Sequence, residues 1–107
     1  MNSFALHPEA FSDLDEIREY IAQDSFDAAD QVISQIFAAI RSLAPFPHQG
    51  HRRPDLTSRP LRFIPVHDYL IAYTPDEKPL WIIAVLHGRR SPGALSAILN
   101  SRSQPPQ

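Results

Sequence analysis

The side chains best suited to chemistry in this chain are arginines and histidines, and they are densest in VLHGRRSP, residues 85–92. An apolar run stops at His87-Gly88, two arginines follow side by side, and Ser91-Pro92-Gly93 turns the chain into a new element. Arginine offers a planar fork that pairs bidentately with phosphate or carboxylate and keeps its charge near neutrality. Arg89 and Arg90 therefore suit contact with an anionic partner, and they equally suit pairing with acids on a neighbouring helix. His87 adds a group that can move a proton near pH 7. Arg62 opens another apolar stretch, while Arg52, Arg53 and Arg59 crowd a polar connector.

Other chemistries are poorly provided for. The chain has no cysteine, which removes disulfides, thiolate catalysis and zinc–thiolate sites and suits a reducing cytoplasm. Three glycines and no GxxxxGK[ST] or GxGxxG leave no phosphate-cradling loop. His48 and His51 share a loop, His7, His67 and His87 are scattered, and no HExxH accompanies them, so no metal is expected. Ser91 lacks the GxSxG elbow of a serine nucleophile. The acids line a helix face rather than a cleft, which argues against paired-carboxylate glycosyl chemistry. No cofactor is expected.

At 107 residues and 43% hydrophobic, the chain is long enough for one domain with a core. No apolar run approaches the ~20 residues that span a bilayer, and MNSFALHPEAF lacks the basic start and apolar stretch of a signal peptide. The net charge of −2 is unevenly distributed. Residues 1–50 hold two arginines against eight acids, and residues 51–107 hold eight basic residues against four acids. Either the basic half meets an acidic or nucleic-acid partner, or the helices carry solvated acidic faces and the arginines decorate loops.

The elements that must hold these residues follow from periodicity. Phe4-Ala5-Leu6 reads as a short strand, and His7-Pro8-Glu9 as a helix entrance, with proline in the first turn and acids at the positive end of the dipole. Ala10, Leu14, Ile17 and Ile21 recur at helical spacing, with Asp13, Asp15, Glu16, Arg18 and Glu19 assigned to the solvated side. Asp24 or Ser25 caps a second helix whose wider stripe, Ala29 to Leu43, ends before Pro45 and Pro47. The two helices form an antiparallel hairpin. Residues 45–60 connect to three strands: Leu61–Val66, Tyr69–Thr74 after a His67-Asp68 turn, and Leu80–Leu86. The last is apolar throughout and reads as a central strand buried on both faces, while Pro65 sends its strand to an edge or a bulge. If the strands pair in order, Arg62 and Arg89 are expected near the same end of the sheet. Residues 92–100 read as a short helix. The expected fold is α+β, with an N-terminal strand and a helical hairpin packed on a twisted, mainly antiparallel sheet that ends in a three-strand meander. The expected domain covers residues 1–100, with 101–107 as a disordered tail.

Over residues 4–99 the order and spacing of PEAFSDLDEIREYIA, FIPVHDYLIAY and VLHGRR resemble the RelE/ParE family of toxins from type II toxin–antitoxin systems. The resemblance implies a cytoplasmic, growth-inhibiting and plasmid-stabilising toxin. A cognate antitoxin would silence it in a hetero-oligomeric complex. In that family the ParE-like branch traps the cleaved DNA complex of DNA gyrase without catalysis of its own. The RelE-like branch cuts messenger RNA on the ribosome with basic residues on the sheet and a C-terminal tyrosine or equivalent acid–base group. The nuclease branch has an arginine where this chain has Leu70. The tail offers Ala94-Leu95 where a tyrosine would stand, and no tyrosine follows Tyr73. The overall acidity also suits a ribosome-binding nuclease poorly. The ParE-like reading is therefore favoured, with Arg62, Arg89 and Arg90 as target- or partner-binding residues. The alternative is a metal-independent endoribonuclease using Arg62, Arg89 and His87, or His67 for proton transfer.

Overall fold

The computed structural model describes residues 4–102. The elements run β1 (Phe4–Leu6), α1 (Pro8–Ala22), α2 (Phe26–Leu43), β2 (Arg62–Val66), β3 (Tyr69–Thr74), β4 (Leu80–His87) and α3 (Pro92–Ser101). The sheet order is β1-β4-β3-β2: the meander is antiparallel, and β1 joins the far side of β4 in parallel. The α+β architecture is as expected, and so is the placement of β4 between two neighbours. All of β4 except His87 is buried.

Local chemistry explains the element ends. His7 caps α1, its Nδ1 accepting the Glu9 N–H at 3.0 Å, with Pro8 in the first turn. Between the two candidates for the α2 cap, the structure uses Ser25, whose Oγ accepts the Ala28 N–H at 3.1 Å. Pro65 lies on the outer strand β2, where its missing N–H breaks no ladder. The same edge is further closed at Phe63, which exchanges two backbone hydrogen bonds with His51 at 2.8 and 2.9 Å. Gly50 makes that approach feasible, since a Cβ there would stand 2.6 Å from the Tyr73 hydroxyl and 2.9 Å from the Phe63 carbonyl.

The sheet has two covered faces. On one, Leu14 and Ile17 of α1 and Ile36, Ile40 and Leu43 of α2 pack on Tyr69, Ile71, Tyr73, Leu80, Ile82 and Val85. Each fully buried aliphatic chain there contributes about 1.5–3 kcal/mol. On the other, Leu56 and Leu61 of the connector and Leu95 and Leu99 of α3 cover Phe63, Ala72, Trp81, Ile83, Ala84 and Leu86. A bulge reconciles the faces. Ala72 pairs with Ala84 and Tyr73 with Ile82, so Ile83 is an extra residue and Ile83 and Ala84 share the second face.

The chain end departs from expectation. Ser101 completes α3, and Arg102 is folded against the body of the protein, its side chain only 9% exposed. The rest of the expected tail, residues 103–107, lies outside the described residues.

Candidate target-binding site

The β3–β4 end of the sheet presents the arginine pair on a well-braced turn. Tyr69 pairs with His87 across the strands, and their rings meet edge to face at 5.3 Å. His87 Nδ1 accepts the Arg89 N–H at 3.1 Å, which leaves Nε2 as the protonated nitrogen of the neutral ring. The Gly88 N–H donates to the Asp68 carbonyl at 2.7 Å, and the Arg90 N–H to the His87 carbonyl at 3.2 Å. Ser91 then caps α3, accepting the Ala94 N–H at 3.2 Å, with Pro92 opening the helix. The backbone of residues 87–91 is thus held at each step, while the side chains of Arg89 and Arg90 are exposed. Among the described residues neither forms an ion pair. The positive end of α3 adds to their field. Tyr69 has its phenol pushed above the ordinary range by burial, with the Asp68 and Tyr20 charges acting in the same direction, so it is a neutral hydroxyl near pH 7. At the β2–β3 turn His67 sits in the left-handed region at φ 54° and its ring meets the Gln35 side chain.

Arg62 is elsewhere, contrary to expectation. It pairs with Tyr73, whereas His87 pairs with Tyr69 at the opposite end of β3. The four intervening steps of β3 amount to about 13 Å, and Arg89 lies beyond them. The reason is directional. β2 and β4 are both antiparallel to β3, so they run alongside each other, and the start of one lies far from the end of the other. Arg62 is also engaged. Its Nη1 donates to the Gly50 carbonyl at 2.7 Å and the His48 carbonyl at 3.2 Å, pinning the connector beside β2. The structure brings His87, Arg89 and Arg90 together and leaves Arg62 out.

Two charged residues matter in ways the sequence reading did not anticipate. The sequence pattern puts Asp13 on the solvated side of α1 and Arg102 in the tail, yet both are nearly buried and joined bidentately at 2.6 and 2.9 Å. They meet at β4 just past the end of β1. Asp13 Oδ2 accepts the Val85 N–H at 2.9 Å, and Arg102 Nη1 donates to the Ile83 carbonyl at 2.9 Å. The two side chains thus take over the edge hydrogen bonds that a three-residue β1 leaves unmade. Arg59 closes the same C-terminal end of α3, donating to the Leu99 and Arg102 carbonyls at 2.9 and 3.1 Å. The weak signal for Asp13 was its place between Ala10 and Ile17, on the border of the apolar stripe.

Among the described residues no group of three or more His, Asp or Glu side chains is placed to hold a metal ion. Within the same described residues no helix is long and apolar enough to cross a membrane.

Comparison with known proteins addresses the fold and the lineage. A family model described as the ParE toxin of type II toxin–antitoxin systems, parDE, matches residues 4–92. The fold is similar to that of a solved chain of the chromosomal ParDE TA system from P. aeruginosa, with a TM-score of 0.65. That match covers 81% of this chain and 96% of the other at 21% identity. No curated protein matches the chain in sequence.

Proposed function

The chain belongs to the family of ParE toxins of type II toxin–antitoxin systems, and on that premise we propose that it arrests growth by binding DNA gyrase and trapping its cleaved DNA complex. The family implies a cognate antitoxin as its other partner, in a hetero-oligomeric complex. A gyrase target places the toxin's action in the cytoplasm. Arg89 and Arg90 are the residues that meet the target, because they are exposed, without ion pairs among the described residues, and carried on a braced turn. The antitoxin silences the same pair with its own acids.

One observation carries the choice between branches. The nuclease reading needs Arg62, His87 and Arg89 around one scissile phosphate, and Arg62 stands at the far end of β3, bonded to two backbone carbonyls. A transition state on phosphate requires its cations within hydrogen-bond reach of the same oxygens. His87 and Arg89 by themselves are an incomplete set.

Incubating the purified chain with gyrase, ATP and supercoiled plasmid tests the proposal. Accumulation of linear DNA after denaturation and protease treatment is expected. Growth arrest without such DNA, accompanied by codon-positioned cuts in translated messages, would replace this reading with the nuclease one.

A further inference from the structure

Four large apolar side chains stand in solvent among the described residues: Phe11, Tyr20, Phe26 and Phe46. Scattered singly, such residues are ordinary surface, so only position can give one of them a role. The position of Tyr20 follows from the course of α1 beside β4. At the start of the helix the His7 N–H donates to the Ile82 carbonyl at 2.8 Å, and further along Asp13 Oδ2 accepts the Val85 N–H at 2.9 Å. Helix and strand therefore advance together. From Asp13 to Tyr20 the helix climbs about 10 Å, the rise of three strand residues, which sets Tyr20 level with Gly88 in the arginine turn. Two observations agree. Glu16, one turn before Tyr20 on the same helix face, lines a groove together with Leu86 and Arg90. Tyr20 is also close enough to Tyr69 for its charge to act on that phenol, and the Tyr69 ring meets His87, which holds the Arg89 N–H.

From this placement we infer that Tyr20 is a further target-binding residue, its ring packing against the same partner surface that Arg89 and Arg90 engage. The inference rests on the reading that the arginine pair meets the target. Tyr20 keeps 71% of its surface exposed, whereas Tyr69 beside it keeps 9%. An arginine pair by itself supplies charge and direction but removes little apolar area from water. A tyrosine ring supplies that area with few rotatable bonds to fix, and tyrosine and arginine are among the side chains that dominate binding energy at protein interfaces. Here they share one end of the molecule on two braced elements, the last turn of α1 and the turn over residues 87–91. Phe46 makes the contrast. It is as exposed, at 69%, but it belongs to the connector at the Tyr73 end of the sheet, where Arg62 is already bonded to carbonyls.

The test compares the parent chain with Tyr20→Ala, Tyr20→Phe and Phe46→Ala, each induced in a bacterial host without antitoxin and each purified for the gyrase assay. Alanine favours a helix and Tyr20 is exposed, so the urea midpoint of Tyr20→Ala should match the parent. Per folded molecule, Tyr20→Ala is expected to need about tenfold more protein for the same DNA cleavage and to arrest growth weakly, as loss of an interface anchor implies. Tyr20→Phe, which keeps the ring, and Phe46→Ala should both stay within about twofold of the parent. Full activity of Tyr20→Ala, a Tyr20→Phe as weak as Tyr20→Ala, or an equal loss in Phe46→Ala would each overturn the inference. Its failure is distinguishable from that of the target reading. If Arg89→Ala with Arg90→Ala abolishes DNA cleavage while Tyr20→Ala cleaves normally, Tyr20 is wrong and the target site stands. If the parent arrests growth without trapping gyrase and Tyr20→Ala relieves the arrest, the gyrase reading is wrong and Tyr20 stands. If the parent does neither, both fall.

Discussion

The two ends of the meander carry the same side chain under opposite conditions. At the β2 start, Arg62 meets a connector whose His48 and Gly50 carbonyls have no strand partner, and its guanidinium supplies the missing donors. At the β4 end, the N–H groups of Gly88, Arg89 and Arg90 are taken up within the turn by the Asp68 carbonyl, the His87 ring and the His87 carbonyl, and the side chains of Arg89 and Arg90 stay exposed. An arginine becomes structural where a neighbouring carbonyl is short of a donor and its guanidinium is held against it. Arg59 and Arg102 follow Arg62, since both donate to carbonyls that regular pairing leaves open.

The contrast is open to direct challenge. The largest effect is expected from Asp13→Ala, which leaves the Arg102 guanidinium buried without its carboxylate and the Val85 N–H without an acceptor. The loss should be about 3–5 kcal/mol, read from urea unfolding. A loss below about 1 kcal/mol would mean that this pair is no more structural than a surface one. Arg62→Ala comes next, at about 1–2 kcal/mol for two partly exposed bonds to carbonyls. Its effect on gyrase per folded molecule should be unchanged, and loss of cleavage by a stably folded variant would return Arg62 to the target-binding set.

His7 supplies a pH-dependent check on the body of the fold. Burial holds its pKa below the ordinary 6.5, with Arg102 and Arg59 acting in the same direction and Glu9 and Asp13 opposing them. Folding therefore favours the neutral ring, whose Nδ1 is the acceptor that caps α1. The resulting stability is complete above pH 6.5 and is lost as the pH falls through the folded-state value. His7→Asn, which retains a capping acceptor, should flatten this part of the stability–pH curve, and an unchanged curve would assign the effect to other groups. The smallest change in stability belongs to the double variant Arg89→Ala with Arg90→Ala, within about 0.5 kcal/mol of the parent. Its gyrase cleavage should nonetheless fall at least about tenfold, as loss of a charged anchor pair implies. Full cleavage by this variant would remove the functional half of the comparison.

The parts of the fold that were legible in the sequence are those set by neighbours along the chain. The stripe from Ala29 to Leu43 has one period and one end, because helical spacing and the prolines beyond it are local facts. The unbroken run Leu80–Leu86 required burial on both sides, and Pro65 required an edge or a bulge; the burial and the edge are observed. The arginine pair was legible as a candidate because a strand end followed by Gly88 and Ser91-Pro92 has to be a turn. The relative direction of β2 and β4 is implicit in the antiparallel order, and it puts Arg62 at the opposite end of the sheet from Arg89 rather than the shared end expected. Only its place between Ala10 and Ile17 distinguishes Asp13 from Asp15, and nothing local distinguishes Arg102 from an arginine in a tail.

What the sequence determined by itself is therefore the list of elements, the apolar faces and the lineage carried by their order, since these depend on spacing over a few residues. Tertiary structure alone decided which charges are structural. Asp13 and Arg102 stand 89 positions apart and meet only because β1 ends after Leu6, exposing one N–H and one carbonyl of β4 at the point where α1 and the end of α3 converge. A backbone group needs a partner wherever the sheet stops short, and where it stops is a property of the assembled layers.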